Sequence, residues 1–291
     1  MTSPSPGLDR QRVRSAFDRA ADSYDDHAVL QHEVGRRLLE RTEFLRAAPA
    51  VVLDLGCGTG FTTRSLSAAF PKTQLIGLDW AKSMLGKLQR GLIPVCADMQ
   101  RIPIASRRVD LIFSNLAIQW SPDLPLLFRE LRRVLRPGGL LLFSTMGPDT
   151  LHELRTAWSE VDDLPHVNSF ADLHDIGDLL VAEGFNEPVM DMDLFTLEYP
   201  DVLAIMRELK AIGAHNASVE RRAGLTGKQR LERVVAAYEQ FRQGERYPST
   251  WEVYYGAAFG PPYGQPIRTP VGEVAEFSID SLRGSRRKGR T

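Results

Sequence analysis

Apolar positions near the start of the chain recur at helical spacing. Val13, Phe17, Ala20, Ala21 and Tyr24 share one face, which predicts an amphipathic helix, and a second helical pattern runs from about Val29 to Leu45. The period then changes. Val51 to Leu55 is short, β-branched and apolar on both faces, as in a strand buried inside a parallel sheet. Helical character follows from Thr62 to Phe70, then a second apolar run from Gln74 to Asp79. Further strands are expected after Val109 and in the run ending at Phe143, where Pro137, Gly138 and Gly139 predict a helix end and a tight turn. Helices are expected near Asp149 to Val161 and Asp172 to Ala182, an alternating strand from Pro188 to Tyr199, and a last strand from Thr250 to Tyr255. Residues 200–246 break the strand pattern, with Val202, Ile205, Met206 and Leu209 on one helical face and Leu231, Val234, Val235, Tyr238 and Phe241 on another. Strands alternating with helices predict a doubly wound α/β sheet. The helical piece between the last two strands reads as a cap.

The chemistry concentrates where the first strand ends. Asp54 is followed by Gly56, Gly58 and Gly60 in a G-x-G-x-G spacing, and glycines there let the backbone turn sharply and approach a ligand. A dinucleotide loop has its third glycine one residue later, so that a helix N-terminus can hold a pyrophosphate. A carboxylate beside the loop would repel a diphosphate but suits a cationic amino-acid group. Asp79 closes the second apolar run about 20 residues after the glycines, where such βαβ units bind ribose hydroxyls. A ribose and a cationic amino acid without phosphate describe S-adenosylmethionine.

With Val95-Cys-Ala-Asp-Met-Gln-Arg-Ile-Pro103, the strand and rim Val109 to Trp120, and Leu135 to Phe143, the segment from about 50 to 145 resembles the class I S-adenosylmethionine-dependent methyltransferases. That resemblance implies a seven-stranded Rossmann-like sheet in the order 3-2-1-4-5-7-6 with the last strand antiparallel. It implies cofactor contacts from Asp54, Gly56, Gly58, Gly60, Asp79, Trp80, Met84, Asp98, Met99 and Asn115. Asp98 would accept from the adenine amino group while Met99 packs on the ring. Further segments lie outside that core: Ser15 to Asp25, Phe143 to Leu154, Pro165 to Asn168, Leu173 to Gly177, Leu209 to Asn216, Gly224 to Gly227 and Glu252 to Gly256. Together they resemble the malonyl-(acyl-carrier protein) O-methyltransferases of biotin synthesis, over nearly the whole chain to about Phe259. The implied acceptor is a malonyl thioester on acyl-carrier protein or coenzyme A. Two other readings fit the first domain: a methyltransferase for a quinone precursor or dicarboxylate, and an assembly factor that binds the cofactor without transferring methyl.

Methylating a carboxylate needs little acid–base chemistry, because a group with a pKa near ~4 is already ionised at neutral pH. Neutral donors near the reacting oxygen are therefore expected, with positive charge further out. Tyr24, Gln119, Trp120, His215 and Asn216 are the candidates. Tyr24 would close over the methyl group as a phenol donor or serve as a core aromatic, and Trp120 would face the acceptor or pack. His215 and Asn216 would face substrate from the cap or cap a helix end. His152, His166 and His174 read as structural, and Lys210 as a solvated helix face.

An acidic carrier requires a basic docking face. Arg221 and Arg222 in the cap are the favoured candidates, ahead of Arg129, Arg132, Arg133 and Arg136 on one helix and of Arg10, Arg12 and Arg14 near the N-terminus. The remaining composition changes little. The formal net charge is −1 over 291 residues, which points to neither nucleic acid nor membrane. Cys57 and Cys96 do not suggest a disulfide, there is no Cys/His metal spacing, and residues 1–7 lack the apolar core of a signal peptide, so a cytoplasmic enzyme is expected. The organisation expected is a helical lid over 1–48, a core over 49–199 and 247–260, the cap over 200–246, and a disordered basic tail over 261–291 ending in Arg283, Arg286, Arg287, Lys288 and Arg290.

Overall fold

The computed structural model describes residues 7–45, 47–221, 224, 226–262, 267–269 and 272–274. Three helices come first: α1 (Arg10–Ala20), α2 (Tyr24–His27) and α3 (Val29–Glu40), the last ending in a 3-10 turn over Arg41–Phe44. There follow β1 (Val51–Leu55), α4 (Phe61–Ala69), β2 (Gln74–Asp79), α5 (Lys82–Leu85), β3 (Ile93–Cys96), β4 (Val109–Ser114), α6 (Leu124–Val134) and β5 (Leu135–Met146). Next come α7 (His152–Ser159), α8 (Leu173–Ala182), β6 (Asn186–Tyr199), α9 (Val202–Ala211), α10 (Lys228–Tyr238) and β7 (Tyr247–Phe259). β8 (Ile267–Thr269) and β9 (Gly272–Val274) pair as a small antiparallel ladder, in a stretch expected to be unstructured. Residues 275–291, with the expected basic tail, lie outside the described residues.

The seven main strands form one sheet in the order β3-β2-β1-β4-β5-β7-β6, with β7 antiparallel to β5 and β6, as expected. β1 is buried between β2 and β4, which explains why its sequence is apolar on both faces. β6 is an edge strand and alternates half-buried and exposed residues. Packing on the sheet follows the periodicities. Leu127, Phe128, Leu131 and Val134 of α6 are wholly buried against one face, and Leu30, Val34 and Leu38 of α3 against the other.

Three boundaries differ from expectation, each for a local reason. The first helix does not continue to Tyr24: the Ser23 hydroxyl donates to the Ala20 and Ala211 carbonyls at 3.3 and 3.0 Å, closing α1 and restarting the chain as α2. The turn at Pro137–Gly139 belongs to β5, as a register shift after the Val109–Leu135 pair, with Gly138 at φ +72°. The last strand is longer than Thr250 to Tyr255, because β7 is held by ladders on both sides.

The N-terminal helices and the cap are joined. Leu8 bridges Ser218, the Asp9 amide donates to the Ala217 carbonyl at 2.7 Å, and the Val219 amide to the Gly7 carbonyl at 3.0 Å. Gly213, at φ +75°, lies so close to α1 that a Cβ would stand 3.2 Å from the Ala16 carbonyl. Among the described residues no helix is long and apolar enough to cross a membrane, and no group of three or more His, Cys, Asp or Glu is placed to hold a metal ion.

Candidate active site

The strand order reverses between β1 and β4, so a crevice opens at their C-terminal ends. Gly56, Gly58, Asp79, Trp80, Met84, Asp98, Met99 and Asn115 all line this cleft, together with Tyr24 and Trp120 from above. Gly56 has φ +70°, and a Cβ there would come 2.3 Å from the Ala117 Cβ. Gly58, at φ +54°, has nothing within 4 Å of the Cβ position. The loop backbone therefore faces open space there, as a close ligand approach requires.

Asp79 lies at the end of β2, where its Oδ2 accepts from the Gly58 amide at 2.9 Å and its Oδ1 from the Ala81 amide at 2.8 Å. Those bonds fix the carboxylate and leave lone pairs for a diol, since each oxygen has two. Burial raises its pKa, against the lowering effect of the amides. Asp54 and Gly60 do not line the cleft. Asp54 is completely buried beneath the loop, with Oδ2 accepting from Thr62 and Thr63 hydroxyls at 3.1 and 2.6 Å and Oδ1 unpartnered among the described residues. Burial pushes its pKa up to about 6, opposed by the two hydroxyls and helped by the charge of Asp79. Its influence on a ligand is through its field. Gly60 is the N-cap of α4, and Cys57 is buried in the turn, where burial raises the thiol well above its ordinary range and keeps it protonated.

Asp98 has a partner that its sequence does not reveal. Its Oδ2 accepts from the Arg10 guanidinium, which also lies 4.9 Å over the Trp80 ring, while its Oδ1 accepts from the Gln100 amide. Arg10 thus reaches across the cleft. Asn115 ties the lid to the sheet, donating to the Gln31 carbonyl at 2.8 Å and accepting from Ser144 at 2.9 Å.

A second chamber of about 340 Å³ lies between the sheet end and the cap, and it shares Phe17, Tyr24, Leu116 and Trp120 with the cofactor cleft. All five acceptor-side candidates line it: Tyr24, Gln119, Trp120, His215 and Asn216. Their surroundings differ. Burial, with the carboxylates of Asp79 and Asp25, raises the Tyr24 phenol far above its ordinary pKa, so it is a neutral donor. Trp120 meets Phe17 edge to face at 5.3 Å. Gln119 and Asn216 are engaged in walls: Gln119 donates to the Leu116 carbonyl at 2.7 Å, and Asn216 donates to the Pro165 carbonyl at 2.5 Å and accepts from the Ser218 amide. Burial lowers the pKa of His215, with Arg19, Arg12 and Lys210 adding to the effect, which favours neutral imidazole. Trp251 also lines the chamber, a residue that reads in sequence only as strand core.

His166 stacks on Trp158 at 3.6 Å and pairs with Asp162 at 2.8 Å in the chamber wall, whereas His152 and His174 lie elsewhere. Among the docking candidates, Arg132 and Arg133 bond carbonyls at 2.6–2.9 Å, Arg129 pairs with Glu183 and Arg136 with Asp110. Arg14 pairs with Asp18. Arg221 follows the Ser218 bridge and does not line the chamber, and Arg222 lies outside the described residues.

Known proteins match this arrangement. A family model described as a methyltransferase domain matches residues 53–143. A malonyl-(acyl-carrier protein) O-methyltransferase from Methylovorus sp. is 49% identical over 273 residues, covering 90% of this chain and 92% of its own. Another from Halorhodospira halophila is 46% identical over 292 residues, covering 97% of each chain. The chain belongs to this methyltransferase family. A solved structure of a putative methyltransferase from Bacillus halodurans, 17% identical, has the same fold with a TM-score of 0.55, covering 78% of this chain and 98% of that one. The cofactor of such an enzyme is S-adenosylmethionine, and the site fits it in three respects: the open face of Gly58, a fixed carboxylate for a diol at Asp79, and beneath the loop the buried carboxylate of Asp54, whose field favours a cationic end.

The sign of the pH effect follows from Asp54. Its folded pKa of about 6 lies above the ordinary 3.8, so the buried anion destabilises the cofactor-free fold at neutral pH by roughly 3 kcal/mol, a cost relieved as pH falls through 6 toward 4. A cationic ligand favours the anion. S-adenosylmethionine affinity measured by calorimetry is expected to fall below roughly pH 6, with proton release on binding in that range. Asp54→Asn should remove both effects, and an affinity independent of pH in the unsubstituted enzyme would refute the assignment.

Proposed function

We propose that the chain transfers a methyl group from S-adenosylmethionine to the free carboxylate of a malonyl thioester on acyl-carrier protein, at the pimeloyl stage of biotin synthesis in the cytoplasm. The observation that carries this reading is the shared wall. A chamber large enough for an acyl thioester opens onto the cofactor cleft at Phe17, Tyr24, Leu116 and Trp120. The cofactor supplies an electrophilic methyl on a sulfonium. Everything else asked of the protein is placement and exclusion of water.

A malonyl carboxylate needs no base at neutral pH. Holding its oxygen in line with the methyl group supplies on the order of 7–11 kcal/mol through orientation alone. Tyr24 is suited to hold it there, because it lines both spaces, its phenol stays protonated, and a neutral donor does not overstabilise the ionic ground state. Phe17, Leu116 and Trp120 keep water from the carboxylate. Asp98, on leaving Arg10, would be placed to accept from the adenine amino group, with Met99 to pack beside it. Asp79 holds the ribose. Gln119 and Asn216 serve as positioning residues, because their side-chain amides already brace the walls.

For carrier docking, the cations best suited are Arg12, Arg19 and Lys210. Arg12 and Arg19 flank Ala16 on α1, and Lys210 stands beside Gly213, the two residues in contact at the lid–cap seam. All three are exposed, and among the described residues none has a carboxylate partner. This moves the docking face from Arg221 and Arg222 to the seam at the chamber rim.

Mass spectrometry of malonyl-carrier protein incubated with enzyme and S-adenosylmethionine should detect one added methyl on the malonyl arm. No gain there or on malonyl-CoA would sink the reading. Tyr24→Phe should lower kcat/KM about 10- to 100-fold with cofactor affinity nearly unchanged; an equal loss of cofactor binding would make Tyr24 a packing residue. The Arg12→Gln/Arg19→Gln variant should raise KM for the carrier substrate several-fold and flatten its salt dependence, while turnover of malonyl-N-acetylcysteamine is unaffected. Unchanged carrier kinetics would place docking elsewhere.

A further inference from the structure

Beside the chamber, among the described residues, stands a buried donor that the protein itself does not use. Trp251, on β7, is only 4% exposed, and its Nε1 has no hydrogen-bond partner among the described residues. Buried N–H groups are nearly always paired, so one left open beside a cavity points to a ligand. Among the described residues, five other buried side-chain polar atoms are unpartnered: Arg10 Nε, His32 Nε2, Asp54 Oδ1, Ser249 Oγ and Tyr255 Oη. None of those residues lines the chamber, and Trp251 does.

Several other polar groups of the chamber wall are engaged. Gln119 donates to Leu116, Thr150 donates to the Glu252 carbonyl at 3.0 Å, Asn216 donates to Pro165, and His166 pairs with Asp162. Much of the remaining wall is apolar, including Met146, Leu151, Leu154, Val167, Met206 and Leu209. An indole N–H donates and never accepts, so its partner must be a hydrogen-bond acceptor. The reacting carboxylate belongs at Tyr24 and Trp120, which line the cofactor cleft as well. Trp251 lines the chamber and not the cleft. On a malonyl thioester the acceptor left over, one methylene away from the carboxyl carbon, is the thioester carbonyl.

We infer that the Trp251 indole N–H donates to the thioester carbonyl of the acceptor, making Trp251 a specificity-determining residue that rejects carboxylates lacking that carbonyl. The inference rests on the proposed malonyl-thioester function. It assigns to β7 a part in substrate choice, separate from the methyl-transfer locus.

The test compares kcat/KM for malonyl-CoA with that for S-(2-carboxyethyl)-CoA, an analogue of the same length in which a methylene replaces the carbonyl. The unsubstituted enzyme should prefer the thioester by about tenfold or more, because a site built around a hydrogen bond penalises its loss. Trp251→Phe should lower the malonyl value about tenfold and leave the thioether value within about twofold, so that the preference collapses. A purely structural role would lower both values together, and that result, or an unchanged preference, overturns the inference. Should the variant fail to fold, equal use of both substrates by the unsubstituted enzyme overturns it alone. Methylation of neither substrate, nor of the carrier-bound thioester, overturns the functional reading beneath it as well.

Discussion

The reversal of strand order at β1 is the constraint on which the site depends. Chains leaving β1 and β4 diverge to opposite faces of the sheet, so no connection covers the strand ends between them. Everything chemical gathers in that gap: the glycine turn after β1, the acid at the end of β2, the acidic loop after β3 and the rim after β4. A gap of this kind is open by construction. A roof must come from outside the sheet, and here it has two sources, the helices before β1 and the insertion between β6 and β7.

The roof determines what the site can do. Phe17, Tyr24, Leu116 and Trp120 stand where the two spaces meet, so on the proposed reading they are the side chains that would surround a transferred methyl. Charge is arranged in the same sense. Carboxylates lie beneath and beside the cofactor cleft, the side chains shared by the two spaces are aromatic or aliphatic and neutral, and exposed cations lie outside at the seam. On the proposed reading, a cationic donor, an anionic acceptor and an acidic carrier would each meet an environment that suits them.

Much of this was legible in the chain because it is local. The period-2 and buried-strand patterns identified the sheet, and the glycine spacing with Asp54 and Asp79 identified the cofactor without any tertiary information. The carboxylates then behaved differently: Asp79 lines the cleft, whereas Asp54, paired with Gly77 two residues short of Asp79, lies one step deeper along the strands, a depth that the spacing alone does not encode. What stayed hidden depends on contacts between residues distant in sequence. Arg10 meets Asp98 88 positions away, so in sequence it read only as part of a basic patch with Arg12 and Arg14. Ser23 breaks α1 partly by reaching Ala211 in the cap. Gln119 and Asn216 carry the residue types expected of substrate donors, yet their amides brace backbone carbonyls. Trp251 reads as strand core, and it becomes noticeable only when its nitrogen is found without a partner.

The seam between residues 7–9 and 217–219 has a thermodynamic consequence. Two segments about 200 residues apart in sequence form a single cover over two binding spaces, so the entropy lost in ordering that cover is lost once, whichever ligand arrives first. The second ligand then meets a surface already formed. Whatever factor occupancy of one space applies to affinity in the other is returned in the opposite direction, because coupling between two sites through a common element is reciprocal. Donor and acceptor are linked before any bond between them is made.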